Sequence, residues 1–327
     1  MVVTSINEPT QAVRELAANP NWTLLVVGDN KTPADWSVPS ARFLPIGEQR
    51  ASRWTLAGLL PENHYCRKNL GYLEAISHGA VVVAETDDDN LPGTWPPVRP
   101  QRRVVGTRID HQGWVNVYPY FTEERVWPRG YPLQHVVSSF VRHPGVEGEW
   151  EAAVHQYLAS GDPDVDAIYR LTVGKVDHTY SPRALVLGAG ATTTFNSQCT
   201  LWFPEAFPLL YLPSFVSFRM TDIWRSLVAQ VCLWAQGDML SYHGDGVTQL
   251  RNEHSLIRDF EDEVVGYLRN DEIARELLSL RLSGDREDVS ANLVACYRKL
   301  HEINVVTAAE LDLVHAWVAD LDSATAA

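Results

Sequence analysis

A chain of 327 residues, 45% of them hydrophobic, is long enough for one large α/β domain or two modest ones and excludes a disordered polymer. The formal net charge of −14 excludes a nucleic-acid backbone as partner, because no Lys/Arg cluster interleaved with aromatics offsets it. The opening MVVTSINEPTQAVREL lacks a basic start followed by an apolar core, and no apolar run reaches the roughly 18 residues of a membrane span, so the expectation is a cytoplasmic protein with no membrane span. Cys66, Cys199, Cys232 and Cys296 are scattered without a CxxC pair, which fits reduced thiols.

In chain order, residues 22–28 (WTLLVVG) form an apolar run closed by Gly28-Asp29-Asn30, the pattern of a buried strand that delivers Asp29 and Lys31 to a crevice rim. A short strand is expected over 42–46. Asn63 is placed as the cap of a helix through His78, with Tyr65, Leu70, Leu73 and Ile76 on its apolar face and Gly79 ending it. Residues 80–90 (AVVVAETDDDN) then lead a β-branched run into three adjacent carboxylates, Asp87, Asp88 and Asp89. Such a tip repels itself unless it is fully solvated or neutralised by a hard divalent cation, and a cation there can grip a diphosphate. The plainer alternative is an acidic turn, since DDDN runs into Leu91-Pro92-Gly93. Strand, strand, helix, strand is the alternation of a parallel sheet, whose ligands bind at the carboxyl ends of the strands.

Residues 91–103 read as a proline-rich loop, and 113–118 and 121–126 as short aromatic and β-branched pieces. In Trp127-Pro128-Arg129-Gly130-Tyr131-Pro132 the prolines and glycine fix a backbone around one cation; Arg129 is either aimed at a ligand or paired with Glu123 or Glu124. Residues 150–160 are expected to be helical and are followed by a second carboxylate cluster at Asp162, Asp164 and Asp166. Residues 183–190 are a strand into a glycine turn; the GAGA there lacks the third glycine and the helix of a phosphate fingerprint. Thr221 and Asp222 open the clearest helix, with Ile223, Trp224, Leu227, Val228, Val231 and Trp234 as its stripe, and Asp222 is either its cap or a presented carboxylate. His254 precedes another helix and is either a third metal ligand or a surface histidine. From Asp271 the chain reads as helical to its end, with Thr307 and Glu310 as a capping box. The expected division is a catalytic domain over 1–265 and a helical appendage over 266–327.

Several segments together resemble the STELLO family of glycosyltransferase-like proteins: WPRGYPL (127–133), DVDAIYRLT (164–172), FNSQCTLW (195–202), FRMTDIWRSLVAQ (218–230) and RNEHSLIRDFEDE (251–263). More distantly the chain is similar to the reversibly glycosylated polypeptides, the plant UDP-arabinopyranose mutases, through CRKNLGY (66–72), the triple Asp, RGYP, VDA and TDIW. The resemblance implies an α/β, GT-A-like Rossmann-type nucleotide-sugar fold with a mixed sheet. It implies Mn²⁺ or Mg²⁺ on Asp87 and Asp89, with Asp88 near the ribose or sugar, and Arg67 on the nucleotide. Arg129 matches the arginine that becomes glycosylated in the mutase group, and the third metal ligand is His254 or Gln249. Asn90 stands where the mutase group has a Cys, and no counterpart of the membrane-spanning region of plant STELLO proteins is expected.

The function expected on these grounds is a metal-dependent transfer of a glycosyl group from a nucleotide diphosphate sugar to an acceptor that the sequence does not name. Asp222 is the candidate base or acceptor-orienting carboxylate, and Asp166 a second polar contact. The alternatives are a flavin-independent pyranose/furanose mutase using Arg129, and a non-catalytic binding protein that keeps the fold.

Overall fold

The computed structural model describes residues 1–174, 177–244, 246–250 and 255–326. Ten strands build the main sheet of the described residues: β1 (Val2–Thr4), β2 (Leu24–Val27), β3 (Ala41–Leu44), β4 (Val83–Thr86), β5 (Arg103–Ile109), β6 (Gly145–Glu151), β7 (Val154–Tyr157), β8 (Ala184–Leu187), β9 (Cys199–Trp202) and β10 (Leu240–His243). Their order is β3-β2-β1-β4-β9-β7-β10-β8-β5-β6. The first four are mutually parallel, in register at Val2↔Leu25, Leu25↔Arg42 and Val2↔Glu85. The sheet becomes mixed where β9 runs antiparallel to β4, pairing Cys199 with Thr86. This is an α/β protein with a Rossmann-like parallel half and a mixed half.

The parallel half shows why near-continuous apolar runs form these strands. Val2, Leu25, Val27 and Val83 enter one hydrophobic cluster, while Val3, Leu24, Val26 and Ala84 enter a second one, so period-two alternation buries both faces. Strand β1 is absent from the sequence reading because three residues are too short to show a period, yet it lies between β2 and β4.

The helix expected over 150–160 is not formed. Residues there pair as the end of β6, all of β7 and the short strand Ser160–Gly161. The apolar positions of this stretch mimic helical spacing, but β7 sits between β9 and β10 in the sheet interior, and ladder pairing on both sides decides its conformation. Glutamates 147, 149 and 151 belong to edge strand β6, where charge discourages pairing with another chain.

The longer helices are α1 (Gln11–Ala17), α2 (Lys68–Ser77), α3 (Thr221–Ala235), α4 (Leu256–Leu278), α5 (Val289–Glu302) and α6 (Ala308–Thr325). Asn63 does not cap α2. It takes φ 53, and His64 instead accepts the Cys66 N–H on Nδ1 at 3.1 Å, capping a 3-10 turn at Tyr65–Arg67 that leads into the helix. The chain is not helical throughout from Asp271, since α4 stops at Leu278 and α5 begins at Val289. Nor is the Thr307/Glu310 capping box formed. The Glu310 carboxylate accepts the N–H groups of Ser214 and Phe215, at 3.1 and 2.7 Å, and the Tyr211 hydroxyl. Tertiary donors outcompete the local box because they are buried and have no water to turn to.

Helices α4, α5 and α6 send Ile273, Leu277, Leu293, Leu300 and Trp317 into the same hydrophobic cluster as α3. Asp320 of α6 accepts the N–H groups of Thr55 and Leu56, at 3.0 and 2.7 Å, and so caps the short helix Thr55–Leu59. The four cysteines are free thiols and buried. No helix among the described residues is long and apolar enough to cross a membrane.

His155 of β7 and His243 of β10 stack with ring centroids 5.2 Å apart. Burial lowers their pKa values to about 4 and about 3. Folded His155 therefore stays neutral while the unfolded chain takes a proton near pH 6.5, so stability is full above about 6.5 and falls as pH drops toward 4, by on the order of 3 kcal/mol. Asp166 acts oppositely. Burial raises it to about 6, so its contribution is largest in acid and declines as pH rises to about 6. We expect His155→Gln to flatten the acid limb between pH 6.5 and 4 in urea midpoints measured across pH; an unchanged slope would refute the assignment.

Candidate active site

The carboxyl ends of β1, β2 and β4 lie side by side because these strands are parallel neighbours. Their exits line one side of a cleft of about 380 Å³ with Ser5, Asn7, Asp29, Lys31, Asp87, Asp88 and Asp89. Arg67 joins them from the start of α2. The opposite side is Arg129, Asp164, Ser197, Phe218 and Asp222, carried by the turn at 127–132, the loop before Ala167–Thr172, the entry to β9 and the start of α3.

The three acidic residues at the tip of β4 are held differently. Asp87 Oδ1 accepts the Tyr65 hydroxyl at 2.8 Å and lies 3.3 Å from Lys68 Nζ. Lys68 is fully buried and also donates to the Tyr65 hydroxyl at 2.7 Å and to the Thr86 carbonyl at 2.8 Å. Burial pushes the Asp87 carboxyl up, and Lys68 pulls against that. Asp88 turns the other way: Oδ2 accepts the Ser5 hydroxyl and Asn7 Nδ2, and its carbonyl accepts the Thr10 hydroxyl, tying the tip of β4 to the exit of β1. The Asp89 carbonyl accepts the Leu250 N–H at 2.9 Å.

Asp29 is oriented by backbone donors, the N–H of Asn30 at 2.7 Å and of His64 at 3.0 Å. Arg67 is 1% exposed and donates Nε to Gln49 at 2.7 Å and Nη1 to the Leu60 carbonyl at 3.1 Å, while its buried Nη2 has no protein acceptor. Burial lowers its pKa, with Asp29 countering. Lys31 is exposed at the rim. Asp29 and Arg67 thus set one carboxylate and one guanidinium with an unsatisfied N–H at the end of the cleft nearest β2.

Across the cleft Arg129 is paired with neither Glu123 nor Glu124. Its Nε and Nη2 clamp Asp164 at 2.9 Å each, and Nη1 and Nη2 reach Asp222 at 3.0 and 2.7 Å. Nη1 also donates to the Arg219 carbonyl. Burial opposes the charge of Arg129, but the two carboxylates prevail and hold its pKa well above the ordinary value. All its donor directions are used by protein. Ser197 Oγ bridges the two walls, 2.7 Å from the Tyr65 hydroxyl and 3.5 Å from Asp222 Oδ2.

The cleft brings together Asp29, Lys31, Arg67, Asp87, Asp88, Asp89, Arg129, Asp222 and the alternative metal ligand Gln249. Asp166 is not among them. It is fully buried and caps the helix Ala167–Thr172, accepting the Tyr169 N–H at 2.7 Å and Trp127 Nε1 at 2.6 Å. The carboxylate that faces the cleft is Asp164, two residues earlier; a helix starting at Ala167 needs its cap at Asp166 and leaves Asp164 to the loop. Asp222 lies in the first turn of α3, where Oδ1 accepts the Ile223 N–H at 3.0 Å, but it is not the N-cap, which is Met220. His254 lies outside the described residues. The sequence reading placed Asp164 only in a carboxylate cluster and Tyr65 only on an apolar helix face, and it gave Lys68 and Ser197 no role, although all four sit in or beside the recognised segments 66–72, 164–172 and 195–202.

Sheet order, an acidic tip on a central parallel strand and a cleft at the carboxyl edge make this a Rossmann-like α/β fold, consistent with that of glycosyltransferases. No protein-family model matches the chain. It is similar to the probable glycosyltransferase STELLO2 of Arabidopsis thaliana, 30% identical over a 266-position alignment that covers 74% of this chain and 34% of that protein. STELLO1 of the same plant, likewise named a probable glycosyltransferase, is 28% identical over a 276-position alignment, which again covers 74% of this chain and 34% of that protein. The chain is thus a distant STELLO-like sequence that spans about a third of the length of the curated relatives it matches.

Because Arg129 neutralises two buried carboxylates, Arg129→Met should leave Asp164 and Asp222 facing one another uncompensated and cost about 3–5 kcal/mol in urea unfolding. Arg129→Lys, which cannot clamp both partners in a planar fork, should fall between the two. A midpoint for Arg129→Met equal to that of the parent chain would show that the cluster is not a buried charge network.

Proposed function

We propose that this chain is a metal-dependent enzyme that binds a nucleotide diphosphate sugar in the cleft and transfers the glycosyl group to an acceptor. The observation that carries this is the convergence of Asp87, Asp88 and Asp89 with Asp29, Lys31 and Arg67 on one cavity at the carboxyl edge of the parallel strands.

The donor set fits Mn²⁺ or Mg²⁺. Asp87 and Asp89 offer hard oxygens, and Asp87 Oδ1 is committed to Tyr65 and Lys68, leaving Oδ2 as the oxygen to present to a cation. Among the described residues no three carboxylate, imidazole or thiolate groups form a ready-made cage. A cation held by Asp87 and Asp89 would complete its coordination with further oxygens. Such an ion supplies charge stabilisation to the departing diphosphate. Of the third-ligand candidates, Gln249 lines the cleft.

The chain's own residues do the rest. Arg67 Nη2 offers a buried donor to an oxygen of the nucleotide. Tyr65 and Lys68 fix the rotamer of Asp87 so that its outer oxygen is pre-aimed. Asp222, clamped by Arg129 and next to Ser197, is placed to accept a hydrogen bond from the hydroxyl of an acceptor and orient it.

The saturation of Arg129 favours a transferase over the mutase alternative. An arginine that carries a glycosyl group needs an uncommitted guanidinium nitrogen, whereas every arm of Arg129 is held by Asp164, Asp222 or the Arg219 carbonyl. Arg129 therefore acts by positioning the two carboxylates.

Thermal and chemical unfolding with a panel of nucleotide diphosphate sugars tests the reading. One member with Mn²⁺, at about 100 times its dissociation constant, should add about 2.7 kcal/mol, and Asp87→Asn should abolish that gain. Without acceptor the sugar nucleotide should remain intact or hydrolyse slowly. Accumulation of a ring isomer, or a glycosyl adduct on Arg129 in intact-mass spectra, would establish the mutase instead. Absence of metal-dependent binding by any member would remove the enzyme reading.

A further inference from the structure

A second cavity, of about 410 Å³, lies on the other side of Gly130: Arg129 lines the cleft and Tyr131 lines this one. Gly130 has φ 84, and its carbonyl accepts Asn270 Nδ2 at 2.7 Å, so the turn that aims Arg129 one way sends Tyr131 the other.

One wall is aromatic. Half-buried Trp114 meets Tyr131 edge-on with centroids 5.5 Å apart, and its Nε1–H is donated to Asp271 Oδ1 at 2.9 Å. His135 Nε2 lies 3.2 Å from the same oxygen, and Arg275 Nε 3.3 Å from Oδ2. At the cavity, His111 and His143 stack with centroids 3.7 Å apart. Burial, and then the neighbouring His111, lower the pKa of His143.

Three ligand classes can be compared on these facts. An anion finds little here, because Arg275 already faces Asp271 and the two formal charges cancel. A metal ion finds no ligand set: in near-parallel stacked rings the in-plane nitrogen lone pairs run side by side rather than converge, and no three-ligand group exists among the described residues. A neutral polyhydroxylated ring fits. Its apolar face suits a wall made by Trp114 and Tyr131, and its hydroxyl rim suits the lining imidazoles, the Gln112 amide, which gives one hydrogen to the Ala189 carbonyl, and the Ser138 hydroxyl, which donates to the His135 carbonyl and can still accept.

We propose that this cavity is a second binding site, one that takes a sugar unit of a neutral glycan. If glycosyl transfer occurs in the cleft, the glycan held here is the acceptor chain, anchored beyond the turn that carries Arg129; that role, though not the binding itself, rests on the function proposed above.

Saturation-transfer NMR with maltotetraose, xylotetraose and mannotetraose, without metal or nucleotide sugar, tests it. At least one should receive saturation, and Asp87→Asn should leave the signal unchanged. Ser138→Trp, which fills the cavity from an exposed position, should abolish the signal, and His143→Ala should weaken it several-fold. No transfer to any of the three, transfer that survives both cavity variants, transfer lost with Asp87→Asn, or binding of inorganic phosphate in place of sugar would each overturn the proposal. Since no sugar nucleotide is present, failure here leaves the function of the cleft standing, and a failed nucleotide-sugar screen leaves this site standing.

Discussion

The arrangement of the cleft depends on a single ion pair that never meets solvent. Glu85 of β4 and Arg225 of α3 are fully buried, with Arg225 Nη2 and Nη1 2.7 and 3.0 Å from the two carboxylate oxygens. Trp202 Nε1 and the Tyr72 hydroxyl donate to the same carboxylate, and the guanidinium lies over the Trp202 ring. Glu85 is two residues before Asp87, and Arg225 is about one helical turn after Asp222. The pair therefore sets the separation between the acidic tip and the opposite wall. Two apolar residues of similar volume would hold the elements together at least as strongly, but would let β4 and α3 slide; a bidentate pair with all its lone pairs used admits one register.

The same device recurs on either side of it. Lys68 is enclosed beneath Asp87, and Arg129 between Asp164 and Asp222. A chain with a net charge of −14 can gather this many carboxylates around one cavity because buried cations neutralise part of the set from behind. The carboxylates are left pre-aimed and cannot turn away when a ligand enters, which is the condition for electrostatic binding without reorganisation. Arg67 completes the pattern with the reverse polarity, a buried guanidinium whose Nη2 still has no acceptor.

Much of this was legible before any coordinates. The run into Asp87–Asp88–Asp89, the Gly28-Asp29 strand end and the Thr221–Ala235 helix follow from periodicity, and parallel-sheet logic places the first two on one edge. Where reading failed, a tertiary partner had overridden a local signal. Residues 150–160 carry helical spacing yet form strands because β9 and β10 flank them. Glu310 sits at the right offset for a capping box but is taken by Ser214, Phe215 and Tyr211. Asp166 and Asp164 look equivalent in Asp-Val-Asp, and only the start of the helix at Ala167 distinguishes a buried cap from a residue on the cleft.

From the amino-acid sequence alone came the fold class, the acidic strand tip and the set of charged residues to watch, because burial patterns and strand-end chemistry are local and repeat within a few residues. Which charge meets which was decided only in three dimensions. Arg129 lies 35 residues from Asp164 and 93 from Asp222, and Glu85 lies 140 from Arg225. No propensity or spacing encodes contacts at such separations; they exist because desolvated charges must find partners once the sheet and α3 are packed.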